Sequence, residues 1–100
     1  MPNHNYFVYI ITNSNRTVLY VGVTNDLNRR LEEHYENSKI RKTFAGLYYC
    51  YYLVYFERHS QITHAIEREK EIKKWSRKKK EVLIDNFNPM WRFLNEDIHE

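Results

Sequence analysis

Apolar and polar positions alternate at the start of the chain in a way that predicts a β-hairpin. Residues 6–12 and 17–23 are rich in β-branched and aromatic side chains, and the polar segment 13–16, Asn-Ser-Asn-Arg, is a strong turn signal between them. Gly22 lies inside the second predicted strand. A glycine there usually marks a bulge or the close approach of another group to the backbone.

A helix, a loop and a third strand are predicted next. Thr24 or Asn25 can cap a helix that runs to about residue 36, and Asp26 in its first turn suits the positive end of the helix dipole. Residues 37–45 are expected to form a basic loop. The near-continuous apolar run 47–57 predicts a strand that is buried on both faces.

Two more helices complete the pattern. One is predicted over residues 61–75, capped by Ser60. The other covers 77–86 and ends before Pro89, because a proline disfavours helical geometry in the residue before it. The tail, 90–100, carries enough apolar side chains to pack back on the domain. The order ββαβαα predicts an α/β fold in which helices flank a small, three-stranded, mainly antiparallel sheet.

Composition narrows the class of protein. The chain has 100 residues, which is the size of a single domain, expected over residues 1–100. Its formal charge of +3 favours binding to a polyanion without requiring it. Cys50 is the only cysteine, which excludes an internal disulfide bond and a zinc site built from cysteines.

The hydropathy of the chain bears on its cellular location. The longest apolar run, residues 47–56, is about half of the ~20 residues that a membrane-spanning helix needs. The start of the chain lacks a basic segment followed by a hydrophobic stretch, so no signal peptide is expected. We therefore expect a cytoplasmic protein with no membrane contact.

The first predicted helix places polar groups on its inward face. At 100° per residue, two leucines share one stripe with a cation and an imidazole: Leu27, Arg30, Leu31 and His34. The leucines must face the core, so the other two side chains point inward or along the edge of the sheet. A buried guanidinium is costly unless it is paired, so Arg30 needs a carboxylate partner, a path to water or a role in chemistry.

The second predicted helix has the same anomaly. Its inward stripe combines apolar side chains with one carboxylate and one ammonium group: Ile62, Ala65, Ile66, Glu69, Ile72 and Lys73. A carboxylate on an apolar face needs a partner or a metal. Glu69 could pair with Arg30 or with Lys73, although an i,i+4 pair on a helix is worth only ~0.2–0.5 kcal/mol.

Several of these residues stand at the spacing of a known motif. The tripeptides Phe7-Val8-Tyr9 and Tyr20-Val21-Gly22 precede Arg30, and Glu69 and Asn88 follow. In this order they resemble the GIY-YIG nuclease superfamily. The segment 69–80, followed by Asn-Pro-Met-Trp-Arg at 88–92, looks like its small stand-alone bacterial branch, the UPF0213-like proteins. Phe7 stands in place of the first glycine of the motif.

The resemblance implies an endonuclease that hydrolyses phosphodiester bonds in DNA. Glu69 would hold one divalent metal, Mg²⁺ or Mn²⁺, a hard cation that takes few protein carboxylates and keeps several waters. The partner would be DNA, with RNA as an alternative, and no small-molecule cofactor is expected. Two rival functions are nucleic-acid binding without cleavage and a protein-interaction module on the same fold.

The resemblance also implies roles for the remaining site residues. Tyr9 or Tyr20, with His34 nearby, would assist deprotonation of the attacking water, and the sequence does not decide between the two tyrosines. Arg30 would neutralise the charge that develops on the phosphate, where a planar donor fork suits the geometry. Asn88 would position a substrate or a metal-bound water.

Basic residues outside this site are candidates for contact with DNA. Lysines in the first turn of a helix oppose its macrodipole, which favours phosphate binding over helix stability as their role. A solvated helix face is the alternative. The tyrosines within 48–52 are expected mainly in the core, with base stacking as the alternative. The predicted DNA contacts are Lys39, Arg41 and Lys42 in the loop and Arg77, Lys78, Lys79 and Lys80 in the third helix.

Overall fold

The computed structural model describes residues 4–98, which fold around one sheet of three strands. Strand β1 spans Tyr6–Thr12, β2 spans Leu19–Thr24 and β3 spans Tyr52–His59. β1 lies in the middle and pairs in antiparallel fashion with both neighbours, giving the order β2-β1-β3. The predicted α/β fold with a small antiparallel sheet is confirmed.

The helices follow the predicted order with one addition. Helix α1 spans Leu27–Ile40, α2 spans Phe44–Leu47, α3 spans Ile62–Lys73 and α4 spans Arg77–Phe87, and a 3-10 turn covers Asn95–Asp97. The short α2 lies where a loop was expected. Among the described residues, no helix is long and apolar enough to cross a membrane.

The turn between β1 and β2 forms where the sequence predicts it. The side-chain oxygen of Asn13 accepts hydrogen bonds from the backbone amides of Thr17 and Val18, at 2.8 and 3.1 Å. Because these two amides are used in the turn, β2 begins at Leu19 rather than at the predicted residue 17. Arg16 supplies the left-handed backbone of the turn, with φ at 59°.

Local capping moves the ends of α1. Asp26 is the N-cap, and its carboxylate accepts a hydrogen bond from the Arg29 amide at 3.1 Å. The predicted caps, Thr24 and Asn25, are therefore wrong. The helix also runs four residues beyond the predicted end at 36, to Ile40, and stops where Arg41 turns left-handed with φ at 56°.

The third strand begins later than predicted, and for a physical reason. Thr43 caps α2 by accepting a hydrogen bond from the Gly46 amide at 3.0 Å, so the chain is helical through Leu47. Tyr49 then has φ at 58°, which an extended strand does not allow. The side chain of Cys50 is buried, as expected of a small apolar group, but this residue precedes β3.

Helices α3 and α4 differ in how their first turns are capped. Ser76 caps α4 by accepting a hydrogen bond from the Lys79 amide at 3.2 Å. Gln61, not the predicted Ser60, is the N-cap residue of α3, and its side chain makes no capping bond.

The sheet separates two hydrophobic cores. Helices α1 and α2 cover one side, called here the α1 face, whose core is formed by Phe7, Tyr9, Ile11, Leu27, Leu31, Ala45, Cys50 and Leu53. Helices α3 and α4 cover the other side, the α3 face, whose core is formed by Val8, Ile10, Val21, Val54, Tyr55, Ala65, Ile72 and Ile84. The predicted burial of β3 on both faces is confirmed by Leu53 and Val54, which lie in different cores.

The tail packs back on the domain as expected. The amide of Leu94 donates to the carbonyl of Leu53 at 2.8 Å, and the side chain of Asn95 bonds the backbone of Leu53 and Tyr51. Leu94 and Ile98 pack against the core of the α1 face. The tail therefore forms a fixed wall beside the start of β3.

Candidate active site

Tyr9 lies at the centre of the candidate site, on the α1 face of the middle strand. It pairs in register with Gly22 of β2. A Cβ atom added to Gly22 would lie 2.3 Å from the Tyr9 hydroxyl, so only glycine leaves room for the ring. The glycine in β2 therefore marks a close approach, one of the two predicted alternatives. Phe7, in place of the motif's first glycine, is an ordinary buried strand residue paired with Thr24.

His34 of α1 binds Tyr9 and lies beside Tyr20. Its Nε2 atom and the Tyr9 hydroxyl oxygen are 2.8 Å apart and share a buried hydrogen bond. The Tyr20 ring meets the imidazole edge to face, with 5.4 Å between the ring centroids. The predicted grouping of two tyrosines with this histidine is thus present in the fold.

Arg30 reaches the same phenol from one turn earlier in α1. Its guanidinium donates a hydrogen bond to Glu33 Oε1 at 2.9 Å. Its carboxylate partner is therefore Glu33 rather than Glu69. Burial raises the pKa of Tyr9 to about 12, and the positive charge of Arg30 acts in the opposite direction.

His34 is neutral at physiological pH. Burial lowers its pKa to about 4, and the positive charge of Arg30 acts in the same direction. Its Nδ1 atom is buried and has no hydrogen-bond partner among the described residues. A buried N–H without an acceptor costs more than a buried lone pair. The favoured tautomer therefore carries its proton on Nε2 and donates it to the Tyr9 oxygen.

The buried histidine predicts a loss of stability in mild acid. The unfolded chain binds a proton at His34 near pH 6.5 and the folded chain only near pH 4, so stability is complete above pH 6.5 and falls as the pH drops between these values. We expect a loss of about 3 kcal/mol across that window. Urea unfolding of the wild type between pH 7 and pH 5 measures most of it.

Two variants test the assignment. His34→Gln keeps a polar partner for Tyr9 but cannot titrate, so its stability should change much less between pH 7 and pH 5. His64→Gln removes an exposed histidine from α3 and should keep the slope of the wild type. An unchanged slope in His34→Gln would assign the acid sensitivity to another group.

Glu69 approaches the site from the opposite side of the sheet, beside the edge strand β2. Its side chain is only 15% exposed and pairs with Lys73 at 3.3 Å. The Lys73 ammonium in turn lies 5.8 Å from the Tyr20 ring centroid. The charge of Glu69 contributes to the raised pKa of Tyr9. This carboxylate is therefore electrostatically linked to the tyrosine cluster and paired with Lys73.

The inward face of α3 differs from the predicted stripe. Ala65 and Ile72 are fully buried, but Ile62 and Ile66 are 50% and 37% exposed. The helix is rotated so that Arg68, which is outside the predicted inward stripe, turns toward the sheet and pairs with Glu57. Glu69 consequently lies at the margin of the core rather than in its middle.

Sequence reasoning missed a polar network on the α3 face. Glu57 of β3 accepts hydrogen bonds from Tyr55 and Arg68 and shares one with His59. Burial raises the pKa of Glu57, but these hydrogen bonds and the charge of Arg68 outweigh burial and hold it below its usual value. The sequence does contain a signal for this network, because the strand period of two puts residues 55, 57 and 59 on one face of the sheet.

Asn88 lies apart from the tyrosine cluster. It is buried at the end of α4, and its amide nitrogen donates to the carbonyls of Val54 and Arg92 at 3.0 and 2.9 Å. Its oxygen accepts from the Arg92 amide at 3.1 Å. Both N–H donors are occupied by backbone, so the predicted role in positioning a substrate or a water finds no support in these contacts.

The predicted DNA-contacting residues of α4 differ in their surroundings. The Arg77 guanidinium donates to the carbonyls of Thr17 and Arg16 at 2.7 and 3.0 Å and also pairs with Glu81, so it fastens α4 to the hairpin turn. The Lys79 ammonium lies 4.4 Å from the Trp75 ring centroid. Lys78 is exposed and Lys80 is half-buried.

The basic segment after α1 is more open. Lys39 pairs with Glu36 at 3.3 Å, Arg41 lies 5.4 Å from the Tyr49 ring centroid, and Lys42 is exposed. Tyr48 and Tyr49 are 45% and 48% exposed, so the expectation that the tyrosines of this segment are mainly core is wrong for these two.

Comparison with known proteins agrees with this arrangement. The model of the GIY-YIG catalytic domain matches residues 5–81, a range that includes the tyrosine cluster and Glu69 but not Asn88. A UPF0213 protein of Bacillus pumilus is 32% identical over 100 residues, covering 100% of this chain and 95% of the relative. One from Haloquadratum walsbyi is 35% identical, covering 83% and 90%.

A solved structure supports the same assignment. The UPF0213 protein BH0048 from Bacillus halodurans, determined by solution NMR, is 31% identical, with a TM-score of 0.50 over 81% of this chain and 83% of that one. The structural similarity between the two proteins therefore extends over most of both chains. The family match, these relatives and the ββα arrangement that carries Tyr9, Tyr20 and Arg30 together show that the chain belongs to the GIY-YIG family.

Proposed function

We propose that this protein is a metal-dependent endonuclease that hydrolyses phosphodiester bonds in DNA, with one active site per chain. Membership of the GIY-YIG family makes a nucleic-acid substrate the starting point. The observation that carries the proposal is the buried Tyr9 hydroxyl, which shares a hydrogen bond with His34 and is influenced by the positive charge of Arg30. Packing alone does not require a phenol, an imidazole and a guanidinium to be brought together on one face of the sheet.

Tyr9 is the better of the two tyrosines for the general base. In the favoured tautomer its oxygen accepts a hydrogen bond from His34 Nε2, and the positive charge of Arg30 acts on the same group. Both effects favour the phenolate over the phenol, which offsets part of the cost of burial. Tyr9 would first release its own proton to solvent, and the phenolate would then take a proton from the attacking water as the new P–O bond forms. The bond to the leaving oxygen breaks in the same step, and solvent would protonate that oxygen.

Arg30 has a second task in this proposal. Its side chain is 33% exposed, so part of the guanidinium is open to a bound phosphate while another part pairs with Glu33. A planar donor fork matches two phosphate oxygens and keeps its charge at any working pH. Arg30 would thus stabilise the charge that develops on the phosphate in the transition state.

Glu69 is the residue proposed to hold the metal. The described residues contain no group of three or more His, Cys, Asp or Glu side chains that could enclose an ion. A single half-buried carboxylate nevertheless fits Mg²⁺ or Mn²⁺, which bind through one or two carboxylates, waters and substrate phosphate. The ion would polarise the scissile phosphate, and Lys73 would neutralise Glu69 when no ion is bound.

DNA is proposed to approach along the edge of β2 and the segment after α1. Lys42 and Arg41 offer charge in the segment after α1, and the exposed rings of Tyr48 and Tyr49 follow them there. Lys78 offers a further exposed charge in the first turn of α4. Arg77 is omitted because its guanidinium is bound to the hairpin turn. Lysine contacts of this kind release counterions, so affinity should fall as salt concentration rises.

The direct test is a cleavage assay on end-labelled single-stranded, nicked, branched and duplex DNA, with matched RNA strands. Cleavage of at least one DNA substrate is expected with Mg²⁺ or Mn²⁺, and none with EDTA. Binding without cleavage across the whole panel would transfer the proposal to a nucleic-acid-binding domain. Absence of both would favour a protein-interaction module.

A further inference from the structure

An open groove of about 840 Å³ lies on the other side of α1 from the candidate active site. Its walls are formed by α1, by the start of β3 and by the docked tail. At 100° per residue, Glu32 and Tyr35 of the groove project from the side of α1 opposite to Arg30 and His34. The volume is within the ~300–1,000 Å³ that small-molecule sites typically have.

A row of four aromatic rings runs through this groove. Tyr35 meets Tyr51 edge to face with 5.1 Å between centroids, and Tyr51 lies 4.5 Å from Tyr52. Tyr52 in turn stacks on Phe93 of the tail at 4.2 Å. Tyr51 and Tyr52 are only half-buried, so part of the row is open to solvent. Rings of this kind offer negative faces to a cation. Arg16 already lies 4.2 Å from the Phe93 centroid and Lys39 4.9 Å from that of Tyr35, so the rings available to a further cation are those of Tyr51 and Tyr52.

Carboxylates stand on both walls of the groove. Glu32 and Glu36 come from α1, and Glu96 and Asp97 come from the 3-10 turn of the tail. Asp97 pairs with Arg92, and Glu36 pairs with Lys39. Glu32 and Glu96 make no ion pair within residues 4–98. Two uncompensated negative charges therefore face an aromatic row from opposite walls.

The charge of the groove is opposite to that of the whole protein. The chain carries +3, whereas the groove is lined by four carboxylates and one guanidinium. A phosphate backbone is repelled by such a surface, so the groove is unsuited to the nucleic acid that the active site requires. Aromatic faces bordered by carboxylates instead suit a positively charged organic group.

We infer that the groove between α1, β3 and the tail is a binding site for an organic cation with ammonium or guanidinium groups. The cationic head would lie over the rings of Tyr51 and Tyr52, and Glu32 and Glu96 would neutralise it from the two walls. This chemistry is shared by free polyamines and by the side chains of a basic peptide. The site is separate from the proposed nuclease centre and does not depend on its activity.

Calorimetric titration at 150 mM salt tests this inference with two probes and a neutral match. Spermidine represents the polyamines, a blocked Gly-Lys-Lys-Gly peptide represents basic peptides, and the same peptide with both lysines acetylated is the neutral match. We expect at least one cationic probe to bind and the acetylated peptide to bind at least ~10-fold more weakly, since cation–π contact and ion pairing are both lost. The probe that binds more tightly shows whether the cation comes from a polyamine or from a basic peptide.

Charge and ring variants complete the test. Glu32→Gln combined with Glu96→Gln should weaken binding of the cationic probe by about 10-fold, and Tyr51→Ala should weaken it more than Tyr51→Phe, which keeps the ring. The matched control is Glu67→Gln, an exposed carboxylate of α3 outside the groove, which should bind as the wild type does. The inference is overturned if neither cation binds, if the acetylated peptide binds equally, or if the double variant matches Glu67→Gln.

Discussion

Glu69→Gln is expected to abolish Mg²⁺-dependent cleavage of DNA while the protein remains folded. The substitution keeps the side-chain volume and removes the negative charge that would hold the ion. Metal stabilisation of the transition state is worth several kcal/mol, so the rate should fall by about three orders of magnitude. The lost pair with Lys73 is partly exposed on the lysine side and should cost less than ~1 kcal/mol of stability.

A neighbouring glutamate provides the matched control for this variant. Glu67→Gln removes one charge from the exposed side of the same helix and should leave cleavage unchanged. Thermal unfolding of both variants, with and without Mg²⁺, separates chemistry from stability. Normal cleavage by Glu69→Gln would refute its role as metal ligand. A variant that simply unfolds would instead identify Glu69 as structural.

Tyr9→Phe should produce the second large effect, on both activity and stability. The ring still fills the space over Gly22, but the oxygen that shares a hydrogen bond with His34 is gone. Loss of the general base should lower the cleavage rate by about 10²–10⁴-fold. The buried Nε2–H of His34 is left without an acceptor, which should cost about 1–3 kcal/mol of folding free energy.

Tyr20→Phe is the informative comparison. Its hydroxyl makes no hydrogen bond to His34 or Arg30 among the described contacts, and its ring packs on His34 and Phe44. The variant should therefore unfold near the temperature of the wild type and lose less activity than Tyr9→Phe. If single-turnover rates instead fall more in Tyr20→Phe, the general base is Tyr20.

Much of the site could be predicted because it rests on local periodicity. The hairpin followed from its turn residues, and the spacing of Leu27 and Leu31 fixed the helix face that carries Arg30 and His34. The partner of Arg30 was a different matter. Glu33 is exposed and lies one turn away, and sequence alone could not rank it against the more distant Glu69.

Tertiary contacts explain the rest. The rotation of α3 depends on Arg68 meeting Glu57 of β3, an interaction between residues far apart in sequence, so the stripe drawn from Ile62 and Ile66 was displaced. The family resemblance gave Asn88 a role in catalysis, but its side-chain amide hydrogen-bonds the backbone of Val54 and Arg92. Arg77 likewise donates to a backbone carbonyl of the first hairpin, another contact between residues far apart in sequence.

The central position of β1 has a consequence for folding during synthesis. The β1–β2 hairpin can form as soon as residue 24 has left the ribosome, but the other edge of β1 waits for Tyr52–His59. Until then an apolar strand with free backbone groups is exposed, which is the kind of edge that recruits other chains. The interval between these two pairings is the time at which the nascent protein is most vulnerable to aggregation.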